Sequence, residues 1–248
     1  MLRLDAVSRR YGTFTAVQSL SLHVAAGRIM GFLGPNGAGK TSTMKMIVGL
    51  ARPSSGAIYV DGINVAVDPL AVKARLGYVP DRPNLPNRLT AREYLAFVAG
   101  LYRMDPQDAA QRSAHQLALF GLAGRADDLI ESYSHGMKQR LVMASVLQHR
   151  PRLLVVDEPM VGLDPRGARL LKDLLRAEAE RGLTVFLSTH TLEVADEVCD
   201  EVAVIDRGRL IACGPPAELR SRSGVQGRTL EEVFLQLTAE EGEPVSDF

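Results

Sequence analysis

The sequence has no excess of charge of either sign: 29 Lys+Arg residues balance 29 Asp+Glu, for a formal net charge of +0. That balance offers no basic footprint for nucleic acid or for an anionic membrane surface, and no nucleic-acid partner is expected. Long apolar runs are missing as well. The longest stretch without Asp, Glu, Lys or Arg, Tyr11 to Gly27, is broken by Thr, Gln, Ser and His. A membrane-spanning helix needs about 18 or more consecutive apolar residues, so none is expected. Cysteine is scarce: Cys199 and Cys213 are the only two. They build no disulfide framework, and both read as small buried hydrophobes. No signal-peptide pattern opens the chain; Leu2, Leu4 and Ala6 alternate with polar neighbours as in a strand. Together these absences predict work in a reducing, cytoplasmic compartment. There is no internal repeat and no low-complexity tract.

What is present is 248 residues, 46% of them hydrophobic, enough for one large domain or two small ones with a full core. The first third reads as strands with tight turns. Alternation at Leu20, Leu22 and Val24 marks a half-buried strand. Arg28 to Leu33 is a denser apolar run entering a glycine cluster, and Lys40 to Leu50 is helical. Pro53 to Gly56 is a turn before a strand, Ala57 to Val60. Asp68-Pro69 caps a helix expected to reach Leu76, and Gly77 to Pro80 is a short strand. From Leu89 to about Leu147 the pattern is helical, with a capping box at Thr90 and Glu93 and a helix start at Asp105-Pro106. Tyr94, Phe97, Val98 and Tyr102 read as a core-facing stripe. After Pro151 strands return: Leu153 to Val156, Leu183 to Leu187, Glu201 to Ile205 and Arg209 to Ala212, with helices from Pro165 to Gly182 and Thr191 to Cys199. Thr229 and Glu232 predict a last helix through about Leu237. The final ten residues carry four acids and no base, a disordered composition.

Gly34, Pro35, Asn36, Gly37, Ala38, Gly39, Lys40 and Thr41 fit the phosphate-loop pattern G-x-x-x-x-G-K-[ST], placed between a strand and a helix as that motif requires. Its N–H groups can curl round a phosphate at a helix N-terminus. Lys40 brings a charge to the β- and γ-phosphates, and the Thr41 hydroxyl can ligate Mg²⁺. Ser42 follows in the same turn. Asp157 ends an apolar strand as a metal carboxylate does, and Glu158 beside it is aimed where a water would attack. Ser134 reads as a helix cap before Gly136. His190 follows a strand and precedes a capped helix. His23, His115 and His149 have no metal-ligand spacing and read as surface or helix residues.

Taken in order, these motifs resemble the ATP-binding cassette of ABC transporters. Gly34 to Thr41 resembles the Walker A loop and Leu153 to Glu158 the Walker B strand. Ser134, His135 and Gly136 resemble the LSGGQ-type signature, Gly162 to Pro165 the D-loop with Asp164, and Ser188 to His190 the switch histidine. Tyr11 stands where the family stacks an aromatic on adenine. The resemblance runs from about Leu2 to Gly214. It implies an α/β fold: a P-loop NTPase (RecA-like) core with an antiparallel β-subdomain and an inserted all-helical subdomain at about 89–147. It also implies a cassette over 1–218, followed by a C-terminal helix and acidic tail over 219–248. The implied catalytic residues are Glu158, His190 and Lys40, and the implied Mg²⁺ ligands are Thr41, Asp157 and Asp81.

The pattern departs from the family at several positions. His135 replaces a glycine, and either faces solvent or adds a titratable donor near the γ-phosphate. Asp81 takes the place of the Q-loop glutamine; a carboxylate there reaches Mg²⁺ indirectly or is an ordinary turn residue. Met160 and Val161 replace a small polar pair. The resemblance implies a homodimer closing head to tail around two ATP and driving a separate multi-span membrane permease from the cytoplasmic face. Tyr133 to Gln139 and Leu230 to Thr238 look most like the drug, lipid and polymer exporter branch. Two other readings are a soluble ABC-type mechanical ATPase of DNA repair or translation, and a small-molecule kinase. The first usually carries long insertions or two cassettes; the second leaves the signature and His190 unused.

Overall fold

The protein is described by a computed structural model covering residues 1–161 and 163–222, together with Glu232 and Phe234. Among these the strands are β1 (Leu2–Tyr11), β2 (Phe14–Val24), β3 (Ile29–Leu33), β4 (Ser55–Val60), β5 (Ile63–Asn64), β6 (Leu76–Val79), β7 (Leu153–Asp157), β8 (Thr184–Thr189), β9 (Glu201–Asp206) and β10 (Arg209–Gly214). The α-helices are α1 (Lys40–Ile47), α2 (Pro69–Lys73), α3 (Ala91–Leu101), α4 (Pro106–Leu119), α5 (His135–Leu147), α6 (Pro165–Glu180), α7 (Leu192–Val198) and α8 (Pro216–Arg222).

Runs that are apolar without alternation become the centre of the molecule. β3, β7 and β8 are buried at every position, as parallel strands covered on both faces must be. They belong to a six-stranded sheet of order β10-β9-β3-β8-β7-β6, parallel except for β10 at its edge. Successive side chains of a strand point to opposite faces, and the two cores divide accordingly. Met30, Phe32, Leu153, Val155 and Phe186 pack with α1 and the second sheet. Ile29, Leu33, Leu154, Val156, Val185 and Leu187 pack with the helices of the other face. The second sheet is antiparallel, of order β2-β1-β4-β5. Tyr11 pairs with Phe14 across the β1–β2 turn, which puts two aromatic rings at one hairpin tip.

Between β6 and β7 the chain is helical, α3 to α5 with short 3₁₀ turns, as the 89–147 pattern anticipates; its one extended feature is an isolated bridge between Thr90 and Leu129. The caps expected from sequence are made. Thr90 and Glu93 close a reciprocal capping box, and the Asp68, Asp105 and Ser134 side chains accept from first-turn N–H groups.

Several expectations are corrected. The helix opened by Asp68 stops at Lys73, because Leu76 is taken by β6, where it pairs in parallel with Leu153. The helix after the phosphate loop ends at Ile47 rather than Leu50. Ala6 breaks the alternation of its strand: it is exposed at φ 45°, within a register shift that puts Val7 in the core instead. In α3 the core stripe is Ala91, Leu95 and Ala99, while Phe97 is 56% exposed. Cys199 is buried but Cys213 only half-buried. His149 is not a surface residue; it stacks on Tyr102 with ring centroids 3.7 Å apart, and burial pushes its pKa down to about 4 against an opposing Leu76 backbone contact. The expected Thr229 to Leu237 helix and acidic tail lie outside the described residues, apart from Glu232 and Phe234, both helical. No helix among the described residues is long and apolar enough to cross a membrane.

Candidate functional site

The C-terminal ends of β3 and β7 open onto a cleft of about 370 Å³. It is lined by Pro35, Asn36, Gly37, Gly39, Lys40, Thr41 and Ser42 of the loop and α1, by Asp81, Asp157 and Glu158, and by Tyr11, Phe14 and Ala16 of the β1–β2 hairpin. Gly34 and Ala38 of the same loop are buried and do not line it. A Cβ on Gly34 would sit 2.3 Å from the Ile205 carbonyl oxygen; on Gly39 it would sit 2.4 Å from that of Ala16, at a φ of 108°. These two glycines are therefore required by close backbone approach before any phosphate is considered.

Every α-helix leaves its first N–H groups without intrahelical partners. In α2 to α6 a side chain takes one of them. At α1 the cap is Gly39, and no side chain caps the turn. That turn opens into the cleft, so its donors and the positive end of the helix dipole are left for an anion. Lys40, only 7% exposed, donates to the carbonyls of Gly34 at 2.6 Å and Pro35 at 3.2 Å. Burial pushes its pKa down, and the carboxylates of Glu158 and Asp157 oppose the shift.

Asp157 is 5% exposed at the end of β7. The parallel register sets it opposite Ser188 on β8, whose hydroxyl donates to Asp157 Oδ1 at 2.5 Å. Burial raises the Asp157 pKa most; the Ser188 hydroxyl and Lys40 lower it, and Glu158 and Asp81 push it further up. Glu158, at a left-handed φ of 48°, donates its N–H to the carbonyl and hydroxyl oxygens of Ser188. Its Oε2 lies 2.9 Å from His190 Nδ1. The tips of β7 and β8 thus hold a carboxylate and an imidazole in contact at the cleft. Tyr78, on β6, has its pKa raised to about 12 by burial and then by Asp157 and Asp81.

The sequence-derived residues fall into two groups. Tyr11, Asn36, Lys40, Thr41, Ser42, Asp81, Asp157 and Glu158 meet in the cleft, with His190 joined to them through Glu158. Tyr11 reaches Ser42, a hydrogen bond that chiefly accounts for its lowered pKa, and the Arg9 guanidinium lies 4.4 Å from its ring centroid. Ser134, His135, Gly136 and Asp164 do not line the cleft. Ser134 and His135 are exposed at the start of α5, and the Asp164 side chain caps α6 by accepting from Gly167 at 2.8 Å. Sequence reasoning missed Phe14 and the positioning of Asp157 by Ser188; the first follows from the hairpin register and the second from strand order.

The description "ABC transporter" belongs to the family model that matches residues 17–161. The chain belongs to the ABC transporter family. This ABC cassette is 38% identical over 224 residues to a linearmycin resistance ATP-binding protein of Bacillus subtilis, with 90% of this chain and 72% of that protein covered. It is also 38% identical over 218 residues to Nod factor export ATP-binding protein I of Paraburkholderia xenovorans, covering 88% and 72%. Among solved structures, an ATP-binding subunit of an ABC transporter superposes with a TM-score of 0.91 at 30% identity, over 96% of this chain and 99% of that one. A dimeric cassette in a post-hydrolysis state with ADP and Pi gives 0.79 at 25% identity, over 87% and 98%. The fold is accordingly the P-loop NTPase cassette with its antiparallel sheet and helical segment, and the ABC cassette is an ATPase.

Proposed function

We propose that two copies of this chain close head to tail around two ATP molecules and drive a separate multi-span permease from the cytoplasmic face of the membrane, moving cargo outward. One observation carries the reading. The uncapped N-terminus of α1, Lys40, and the Asp157–Glu158 pair converge on a single cleft, while the capped N-terminus of α5 at Ser134 is exposed outside it. The start of α5 carries Ser134 to Gly136, which resemble the LSGGQ-type signature, and its exposure away from its own cleft supports a role for it against another copy's nucleotide. The dimeric relative and the export and resistance roles in the relatives' names support assembly and direction.

In this reading the N–H groups of Asn36 to Thr41 and the Lys40 ammonium hold the phosphates, Ser42 lies beside them, and Tyr11 stacks on the base. Thr41, Asp157 and Asp81 are the groups that would hold Mg²⁺. Among the described residues no three His, Cys, Asp or Glu side chains cluster as a self-sufficient metal site. That fits an ion shared with phosphate oxygens and water, which needs only one or two protein carboxylates. When bound, Mg²⁺ would neutralise charge on the transferring phosphoryl group.

Glu158 orients the attacking water and accepts its proton, an effect typically worth 10²–10⁴ in rate. His190 holds the Glu158 carboxylate through Nδ1 and senses the γ-phosphate. Ser134, His135 and Gly136 cover the partner copy's nucleotide, and Asp164 acts through the loop that it anchors on α6. Closing on ATP and opening after hydrolysis is a two-state switch set by differential affinity. The test is Glu158→Gln in size-exclusion chromatography with light scattering. Mg-ATP should convert the variant to a stable dimer and the wild type only transiently; a variant that stays monomeric with ATP bound rules out the dimer. Capture of the variant's partners from host membranes should return a protein with several apolar spans.

A further inference from the structure

Arg9 lies two residues before Tyr11 on β1, so the two side chains leave the strand on the same side. The guanidinium carbon of Arg9 stands 4.4 Å from the centroid of the Tyr11 ring, within the range of a cation–π contact. Its Nη1 donates to the Arg52 carbonyl at 2.6 Å, in the loop that follows α1. Backbone therefore holds the far end of the guanidinium while it lies against the ring, and Nε is covered from solvent with no oxygen partner. The other end of the phenol is held as well. Ser42, on α1, hydrogen-bonds the Tyr11 side chain, and Ser42 and then Arg9 are the main causes of its lowered pKa.

The cleft walls show which face of the ring Arg9 covers. Tyr11 lines the cleft and is 44% exposed, whereas Arg9 is not one of the residues that line it. The guanidinium thus backs the face turned away from the cleft and leaves the other face open to it. A phenol on a hairpin tip, next to Gly12 at a φ of 59°, would otherwise turn about its side-chain bonds, and an arriving base would have to order it.

We propose that Arg9 is a positioning residue for the adenine base: from behind, it fixes the Tyr11 ring in the plane on which the base stacks, and leaves the phosphate contacts alone. The proposal rests on the reading in which Tyr11 stacks on the base. An ordered ring favours the ground and transition states equally, so Arg9 acts on KM and not on kcat.

Arg9→Met keeps an unbranched stem without charge or planar group, and Arg9→Lys keeps the charge without the plane. In both, KM for ATP should rise about three- to tenfold with kcat within about twofold, lysine giving the smaller rise. Calorimetric titration with Mg²⁺ present should show ADP weakened by the same factor, and pyrophosphate, which has no base, bound as in the wild type. In a Tyr11→Ala background the Arg9 substitutions should add no further loss, because no ring is left to position. Equal weakening of ADP and pyrophosphate would overturn the proposal, since Arg9 would then act as a distant charge. Unchanged ADP affinity in both variants, or a loss that persists without Tyr11, would overturn it as well. So would failure of both variants to fold, which makes Arg9 a stability element. Tyr11→Ala alone separates the two readings: if ADP affinity is unchanged, stacking falls and this role with it; if ADP weakens there but not in the Arg9 variants, only the role of Arg9 falls.

Discussion

Ser188→Ala tests the geometry that makes Asp157 usable. The Ser188 side chain is fully buried, and its hydroxyl is the side-chain donor to a carboxylate that is itself 5% exposed. A hydrogen bond to a charged group contributes about 1.5–3 kcal/mol, and its removal leaves the carboxylate with an unpaired lone pair in a low-dielectric site. The variant should therefore lose about 2 kcal/mol, roughly 4–8 °C in a chain of this size. The loss should depend on pH in a definite sense. Asp157 has a raised pKa in the fold, so its ionisation opposes folding as pH rises above the range in which the unfolded carboxylate titrates. Removing the hydroxyl removes a contribution that lowers this pKa, so the gap between wild type and variant should be widest above neutrality and narrow as pH falls toward that range. Urea denaturation at pH 8, 6.5 and 5 measures it. The Mg²⁺ half-saturation of ATP turnover should also rise, since the released carboxylate no longer holds its orientation. A loss below about 0.5 kcal/mol at pH 8, or a gap that grows on acidification, would refute the assignment of Ser188 as the residue that holds Asp157 ionised.

Asp81→Asn removes a negative charge that adds to the burial cost of ionised Asp157. If Asp81 assists Mg²⁺, half-saturation should rise about three- to tenfold with metal-free ATP binding unchanged, and an unchanged Mg²⁺ titration makes Asp81 a turn residue. His149 is neutral in the fold, with a pKa near 4 against 6.5 for the free side chain. Its contribution to stability is complete above pH 6.5 and is lost as pH falls toward 4, about 2 kcal/mol of it between pH 7 and pH 5. Denaturation of His149→Phe, which keeps a ring against Tyr102, should be flatter over that interval by the same amount; an identical slope shows that other groups govern acid sensitivity. Glu158→Gln should slow turnover by about 10²–10⁴ while binding ATP within a few-fold of wild type, measured by single-turnover kinetics and direct titration.

What could be read from the sequence was what lies close together along it. Gly34 to Ser42 is a single loop and helix start, and the capping patterns at Asp68, Thr90, Asp105 and Ser134 need only three or four residues each, so all of them form as expected. Strand order is different. β3 lies between β8 and β9, strands more than 150 residues further along, and nothing local records that neighbourhood. It is this order that sets Ser188 against Asp157 and joins His190 to Glu158, so each of those residues was legible while their contacts were not. Where tertiary pairing competed with local pattern, pairing won: Leu76 continues the periodicity of α2 but is claimed by Leu153, and Ala6 keeps the alternation of β1 but is displaced by a bulge that buries Val7. Gln139 shows the limit from the other side. In sequence it is one polar residue in a helix between Lys138 and Arg140, with no sign that it is buried. Only the folded chain buries it, beside Phe120, Arg140, Met143, Leu163 and Leu171, and makes an ordinary helix residue a group whose hydrogen bonds must be accounted for.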